Sequence, residues 1–388
     1  MNKIWDVILV GGGLANGLIA WRLKQCQPQL DVLLLEAGSA PGGNHTWSFH
    51  HQDLSEAQHA WLAPFVAHRW DGYEVRFPVL NRTLPGGYLS ITSERFAEVI
   101  SAALGDRLRT HSEAMAVAPD CVQLRSGDTL HARAVIDGRG YQPGPHLAVG
   151  SQAFVGQEWQ LAQPHGLVRP ILMDATVDQQ EGYRFVYTLP LSPDSLLIED
   201  THYIDRSALD ADRSRQNIAD YALSQGWQLH TLQREEQGSL PITLAGQHDA
   251  FWQQAQGQPR SGLRAGLFHA TTGYSLPLAA TLADTIAAQS AVDHAALFTL
   301  IRGVAGDQWR RQRFFRMLNR MLFLAGRPEQ RWQVMQRFYG LNDRLIARFY
   351  AGQLTLTDMA RILTGKPPVP MREALRAVLK QTPRLRAF

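Results

Sequence analysis

Near the N-terminus an apolar run ends in Gly11-Gly12-Gly13, a helix-like segment follows, and a second apolar run stops at Glu36. Strand, glycine turn, helix, strand and acid, in that order and spacing, predict a dinucleotide-binding βαβ unit. Gly11 makes the tight turn, and Gly13 lets the backbone approach a pyrophosphate. The helix that starts near Leu14 points its positive end at that pyrophosphate. Glu36 is placed to accept hydrogen bonds from ribose hydroxyls. The candidate nucleotide contacts are therefore Gly11, Gly12, Gly13, Leu14, Ala15, Gly17 and Glu36, with Gly43 in the following polar turn. The pattern departs from G-x-G-x-x-G at Asn16, with the third glycine displaced to Gly17.

Further along, the pattern predicts a short helix over 54–65, a strand over 69–80, and a helix over 94–104 capped by Thr92 or Ser93. Short strand-like pieces follow at 114–118, 121–124 and 134–136, the last running into Asp137-Gly138-Arg139-Gly140. Residues 182–189 and 195–203 alternate as two strands around a Ser192-Pro193-Asp194 turn. A helix over 212–225 stops at Gly226, an apolar helix is expected over 276–288, and the chain is helical and rich in arginine from Asp307.

This order predicts an α/β fold. A Rossmann-like dinucleotide domain fills 1–149, a sheet-based substrate domain is inserted over 150–258, the chain returns to the first domain over 259–300, and 301–388 form a helical, basic region.

Composition narrows the picture. A hydrophobic fraction of 45% in 388 residues is that of a globular chain, and a formal charge of only +3 gives no case for a nucleic-acid partner. Two cysteines, Cys26 and Cys121, exclude a disulfide framework and fit a reducing compartment. The chain enters its first strand at once, so no secretory signal is expected. No apolar run approaches the roughly 20 residues a bilayer span needs. The expectation is a cytoplasmic protein, free or on a membrane surface. No metal site is predicted.

Two later segments refine the nucleotide site. Residues 264–275, with Gly266, Thr272, Gly273 and Tyr274, precede the apolar helix as in flavoproteins of the glutathione-reductase type, which end their FAD domain with a strand, a glycine turn and a helix. The acid usual in that motif is missing, and Leu267-Phe268 stand in its place. Asp137-Gly138 resembles a flavoprotein turn as well. Three such motifs in order favour FAD over NAD.

The predicted strand Leu196-Leu197-Ile198-Glu199-Asp200-Thr201-His202-Tyr203 places two carboxylates side by side. Side chains alternate along a strand, so Glu199 and Thr201 share one face while Asp200 and His202 share the other. Only one carboxylate can face a cavity. That one is a candidate general acid/base, raised in pKa by an apolar pocket. A strand running out into solvent explains the doublet equally well.

Taken together, GGGLANGLIAWRL, PGGNHTWSFH, LLIEDTHY, GSLPI at 238–242, FHATTGYSLPLAA at 268–280 and RFYAGQLTLTDMARILTGKPPVP resemble the bacterial, single-chain, FAD-dependent lycopene β-cyclases over nearly the whole length. The resemblance implies a net non-redox ring closure at both ends of lycopene, by way of γ-carotene. It implies reduced FAD as cofactor, NADPH as electron donor, and lycopene and other acyclic carotenoids as partners. Glu199 is then the acid/base, supported by Asp200, with His202 as a candidate relay. Glu235 and Glu236 are weaker acid candidates, and Trp47, Phe49, Tyr183, Phe185 and Tyr187 are candidate polyene-tunnel aromatics. The substrate's insolubility points to a peripheral position on the cytoplasmic face of the membrane. The candidate contact is 309–339, where Arg310, Arg311, Arg313, Arg316, Arg320, Arg327, Arg331 and Arg337 alternate with aromatics; a helical subdomain packed on the core gives the same pattern. Rival readings are a flavin monooxygenase or prenyl reductase, and a non-catalytic prenyl-lipid escort protein.

Overall fold

The computed structural model describes residues 3–180, 182–204, 209–365 and 369–379; residues 366–368 of the last quoted motif lie outside these. Two sheets organise the chain. In the first, Ile4–Val10 lies between Val32–Leu35 and Thr129–Asp137, all parallel. Val32–Leu35 is buried at every position, as a strand covered on both faces must be. Val10 pairs with Leu35 on one side and with Asp137 on the other. The turns at Gly11, Glu36 and Gly138 therefore fall on one edge, at the carboxyl ends of the strands, where ligands bind in such sheets. Leu108–Arg109 extends this sheet beside Val32–Leu35, and the antiparallel strands Cys121–Leu124 and Ala114–Val117 extend it beyond Thr129–Asp137.

Helices Leu14–Cys26 and Leu276–Ala287 share one core with the first sheet through Leu18, Leu23, Ala279, Leu282 and Ile286. Helix Ser93–Leu104 joins that core. Its N-cap Thr92 accepts from the Arg95 N–H at 3.2 Å, a contact worth about 1 kcal/mol.

The second sheet has eight strands in the order Leu229–Gly246, Leu147–Leu161, Ser195–Ile204, Tyr183–Ser192, Ile171–Asp174, His68–Phe77, Leu80–Thr92 and Thr46–His50. Every pairing is antiparallel except that of Ile171–Asp174 with His68–Phe77. The sheet thus joins strands from before residue 93 to strands from after residue 146. The hairpin around Ser192 forms as the alternation predicts, with Tyr187 opposite Glu199. One face is covered by helix Ala211–Ser224, whose Ile218, Tyr221 and Ala222 pack on Val155, Val186 and Ile198. On the other face Phe185, Leu197 and Tyr203 meet Phe315, Phe323, Phe349 and Tyr350 of the C-terminal helices.

The arginine-rich segment 309–339 is largely a core element. Phe315, Leu322 and Phe323 are buried, and so are three of the arginines. Arg316 stacks 3.6 Å from the Trp309 ring centre, Arg320 donates to Leu244 O, and Arg331 donates to Leu322 O and Phe323 O. An amphipathic pattern reports an apolar face without saying whether lipid or protein covers it; here protein covers most of it. Among the described residues no helix is long and apolar enough to cross a membrane.

Candidate functional site

A continuous cavity of about 1800 Å³ runs from the glycine-rich edge of the first sheet to the second sheet. Gly11, Gly13, Leu14, Ala15, Glu36, Gly43 and Gly138 line its nucleotide end. Gly11 sits at φ +91°, a conformation that favours glycine. A Cβ on Gly13 would meet nothing within 4 Å, which leaves the backbone there open to a ligand. Glu36 is held by the Gly12 N–H at 2.8 Å and the Gly38 N–H at 2.7 Å.

Asn16 explains the departure from the glycine motif. Its amide donates to Val10 O and Gly11 O, and its carbonyl accepts from the Ser261 hydroxyl at 2.7 Å. It stitches the first turn to the returning chain. Gly138 fits beside it because any Cβ there would lie 2.4 Å from Asn16 Nδ2.

Four predicted nucleotide contacts do not line the cavity. Gly12 clasps Glu36, and Gly17 faces Phe96, whose Cζ a Cβ would approach to 2.2 Å. Asp137 turns its carboxylate to Arg139 and Arg264; burial pushes its pKa up, but these two cations outweigh burial and hold it below the usual range. Gly266 is the left-handed cap of a 3-10 turn, Gly262–Ala265, which replaces the expected strand; only an isolated bridge from Asp137 to Arg260 remains.

Thr272, Gly273 and Tyr274 do line the cavity, as do Ser275 and Leu276 at the start of helix Leu276–Ala287. The positive end of that helix dipole therefore borders the cavity. Gly273 has φ +71°, and a Cβ there would lie 2.9 Å from Leu240 Cβ.

At the far end the strand doublet divides as alternation demands. Glu199 lines the cavity with Phe154, Phe185, Tyr187, Tyr203 and Tyr350. Among the described residues its hydrogen-bond partner is the Thr201 hydroxyl, at 2.6 Å. Burial pushes its pKa up to about 8 against the Thr201 bond, so it holds a proton at neutral pH. Asp200 points to the opposite face. There it accepts from Arg184 at 2.6 Å, Asn217 at 2.8 Å and His202 at 2.8 Å. Burial alone would raise its pKa; the His202 and Arg184 partners lower it. Asp200 and His202 are thus a buried cluster on the face opposite the cavity, where neither can touch a substrate held beside Glu199.

Of the aromatic candidates, Trp47, Phe185 and Tyr187 line the cavity, whereas Phe49 and Tyr183 are core. The motifs left several lining residues unmarked. Tyr88 shares hydrogen bonds with Tyr187 and Tyr274, and Tyr187 donates to Ser48. Burial raises all three tyrosines well above the phenol range, so they stay neutral. Glu236 also lines the cavity, with His45 Nδ1 2.6 Å from its Oε1. Glu235, its neighbour, faces away, to Arg215 at 2.7 Å and Gln157 at 2.8 Å.

The chain matches two kinds of known protein. Over 99% of its length it has the fold of a geranylgeranyl bacteriochlorophyll reductase-like protein from Thermoplasma acidophilum, with TM-score 0.59, 13% identity and 98% of that chain covered. A probable FAD-dependent monooxygenase from Pseudomonas aeruginosa has the same fold, with TM-score 0.54, 17% identity, and 87% and 99% of the two chains covered. In sequence the chain is 62% identical to a lycopene beta-cyclase of Pseudescherichia vulneris, covering 97% of this chain and 98% of the relative. It is 60% identical to one of Pantoea ananas, covering 98% and 99%. The lycopene cyclase protein family matches residues 6–376, and the chain belongs to that family.

Proposed function

We propose that this chain is a lycopene β-cyclase that closes rings at both ends of lycopene, by way of γ-carotene, with reduced FAD bound along the glycine-rich edge and NADPH as electron donor. The observation that carries this reading is the placement of the Glu199 carboxyl group, whose pKa burial raises, in an aromatic-lined cavity continuous with the glycine-rich edge. Ring closure starts when a proton adds to a terminal double bond; the internal double bond then attacks the cation, and loss of a proton ends the reaction. Glu199 has the proton to give. Tyr187, Phe185 and Trp47 offer π faces to a cation, and an apolar lining disfavours the water that would trap it.

The glycine edge fits FAD. Gly13 and Gly43 leave the backbone open on the cavity side, Gly11 and Gly138 let the two turns and Asn16 pack closely, and Glu36 stands at the end of the second strand. When bound, the reduced flavin supplies negative charge near a developing cation. The N-terminus of helix Leu276–Ala287 favours that charge.

The test is anaerobic incubation with lycopene in liposomes, FAD and NADPH, scoring bicyclic product and NADPH consumed. Cyclisation requires far less NADPH than product. Stoichiometric consumption without rings would mark a reductase or monooxygenase, and absence of flavin binding an escort protein.

The substrate resides in lipid, and the C-terminal helix Met371–Leu379 is the surface we assign to the membrane. Met371, Leu375 and Leu379 are 62–70% exposed on one stripe, beside exposed Arg372 and Arg376. Binding to anionic liposomes should weaken as salt rises. Met371→Ser/Leu375→Ser should lose much of it; unchanged binding would move the contact elsewhere.

A further inference from the structure

Glu236 is a second carboxylate in the chamber, and ring closure as described gives it no task. Strand register sets Gly156 opposite both Glu199 and Glu236, so the three form one row across three strands with the glycine in the middle. Adjacent strands lie about 4.8 Å apart, which puts the two acidic Cα atoms roughly 10 Å apart. Gly156 puts no side chain of its own between them. Glu199 leans into it: a Cβ built on Gly156 would touch Glu199 Cγ at 3.5 Å and Oε2 at 3.6 Å.

The two acids have different company. Glu199 is faced by the Thr201 hydroxyl on its own strand, Tyr187 on one neighbouring strand, and Glu236 beyond Gly156, with Asp200 behind the sheet. Glu236 is faced by His45 at 2.6 Å and Arg234 at 3.9 Å. Its hydrogen bond raises the His45 pKa against the opposing effect of burial. Asp53 has its carboxyl tied to the His50 N–H and does not line the cavity. Glu199 thus has a hydroxyl and aromatic rings for company, whereas Glu236 has a histidine and an arginine within 4 Å.

We propose that Glu236, held by His45, accepts the proton that leaves the ring; this rests on the lycopene cyclase reading. The Glu199 O–H bond breaks as the CH carbon of the terminal double bond gains hydrogen, leaving a tertiary cation on its dimethyl-bearing partner. The internal π pair forms the ring bond and moves the positive charge to the next carbon. The C–H bond of the ring carbon that bears the polyene then breaks. Its electrons form the ring double bond, and its proton goes to Glu236. Transfer across the gap at Gly156 returns that proton to Glu199, so no proton or electron is gained or lost. A hydrogen beside a carbocation is strongly acidic, so a weak base suffices. The base's position selects which hydrogen leaves, and with it the β-ring over isomeric rings that lose hydrogen from a methylene or a methyl.

The experiment compares wild type with Glu236→Gln and His45→Gln, scoring rate, ring type, the alkaline limb of the rate profile and the flavin spectrum. Glu236→Gln is expected to slow closure about 10²-fold and divert part of the product to isomeric rings. It should also move the alkaline limb to lower pH, because a negative neighbour of Glu199 is gone, while the flavin spectrum stays unchanged. His45→Gln should slow closure and divert product the same way by less, and should move the alkaline limb to higher pH, because a positive neighbour is lost while Glu236 keeps its charge. His45 is half-exposed, so this variant decides the matter if Glu236→Gln fails to fold. Pure β-rings with an unmoved limb, at whatever rate, would overturn the assignment. A wild type that forms no rings at all would instead overturn the function beneath it.

Discussion

The two faces of the eight-stranded sheet treat acids in opposite ways. On the cavity face Glu199 accepts from the Thr201 hydroxyl and Glu236 meets His45, with Gly156 on the strand between them. On the far face Asp200 and Glu235 are locked to Arg184 and Arg215, with His202, Asn217 and Gln157 filling the remaining positions. Each acidic doublet, Glu199-Asp200 and Glu235-Glu236, contributes one member to each face. The far face fixes charge to hold helix Ala211–Ser224 on the sheet. The cavity face keeps a proton movable. A carboxylate's role in this protein is therefore decided by strand parity and partners more than by its type.

The sharpest way to break the contrast is Glu199→Gln. Removing a general acid should cost about 10²–10⁴-fold in ring formation while leaving the fold and flavin binding intact, as measured by turnover and by the flavin spectrum. Asp200→Ala should do the reverse. It strands Arg184, only 6% exposed, in the interior and should cost roughly 3–5 kcal/mol in denaturant unfolding, with turnover per folded molecule nearly unchanged.

A pH series sharpens the contrast further. The Glu199 pKa rises from an ordinary 4.5 to about 8 on folding, so the stability it contributes is complete below about 4.5 and is lost as pH rises through 8. The Asp200 pKa is lowered, so its contribution is present above the ordinary 3.8 and is lost as pH falls through its folded value. Relative to wild type, Glu199→Gln should gain stability between pH 5 and about 9, and Asp200→Asn should gain it only toward strong acid. Parallel curves for the two variants would erase the distinction between the faces. The smallest effect belongs to Glu235→Gln, which removes a partly solvated pair with Arg215. Less than about 1 kcal/mol and unaltered ring formation are expected.

The sequence made local features plain and left distant ones hidden. The βαβ unit ending at Glu36 follows from periodicity and glycine spacing, since all its parts lie within one short stretch. Alternation also separated Glu199 from Asp200, but it could not say which faced inward. That depends on Ala211–Ser224 covering one side and the C-terminal helices the other. Gly17 and Gly12 looked like nucleotide contacts because a motif does not distinguish a glycine that meets ligand from one that meets Phe96 or Glu36. His45 and Glu236 touch across 191 positions, and no spacing rule links them. The arginines of 309–339 suggested lipid because their apolar neighbours form a stripe; the register of Phe323 against Gly150 was not visible from that stripe.

The tight turn at Pro193-Asp194 has a consequence for how this protein can change over generations. Shifting the register of Ser195–Ile204 by one position would present Asp200 to the chamber and push Glu199 among the arginines, with nearly the same amino acids in the chain. Insertions and deletions near that hairpin are therefore filtered by arithmetic. Even shifts preserve which acid looks inward, whereas odd shifts abolish the reaction and the helix packing together. Lineages of this family should vary freely in the composition of the turn and scarcely at all in the parity of its length.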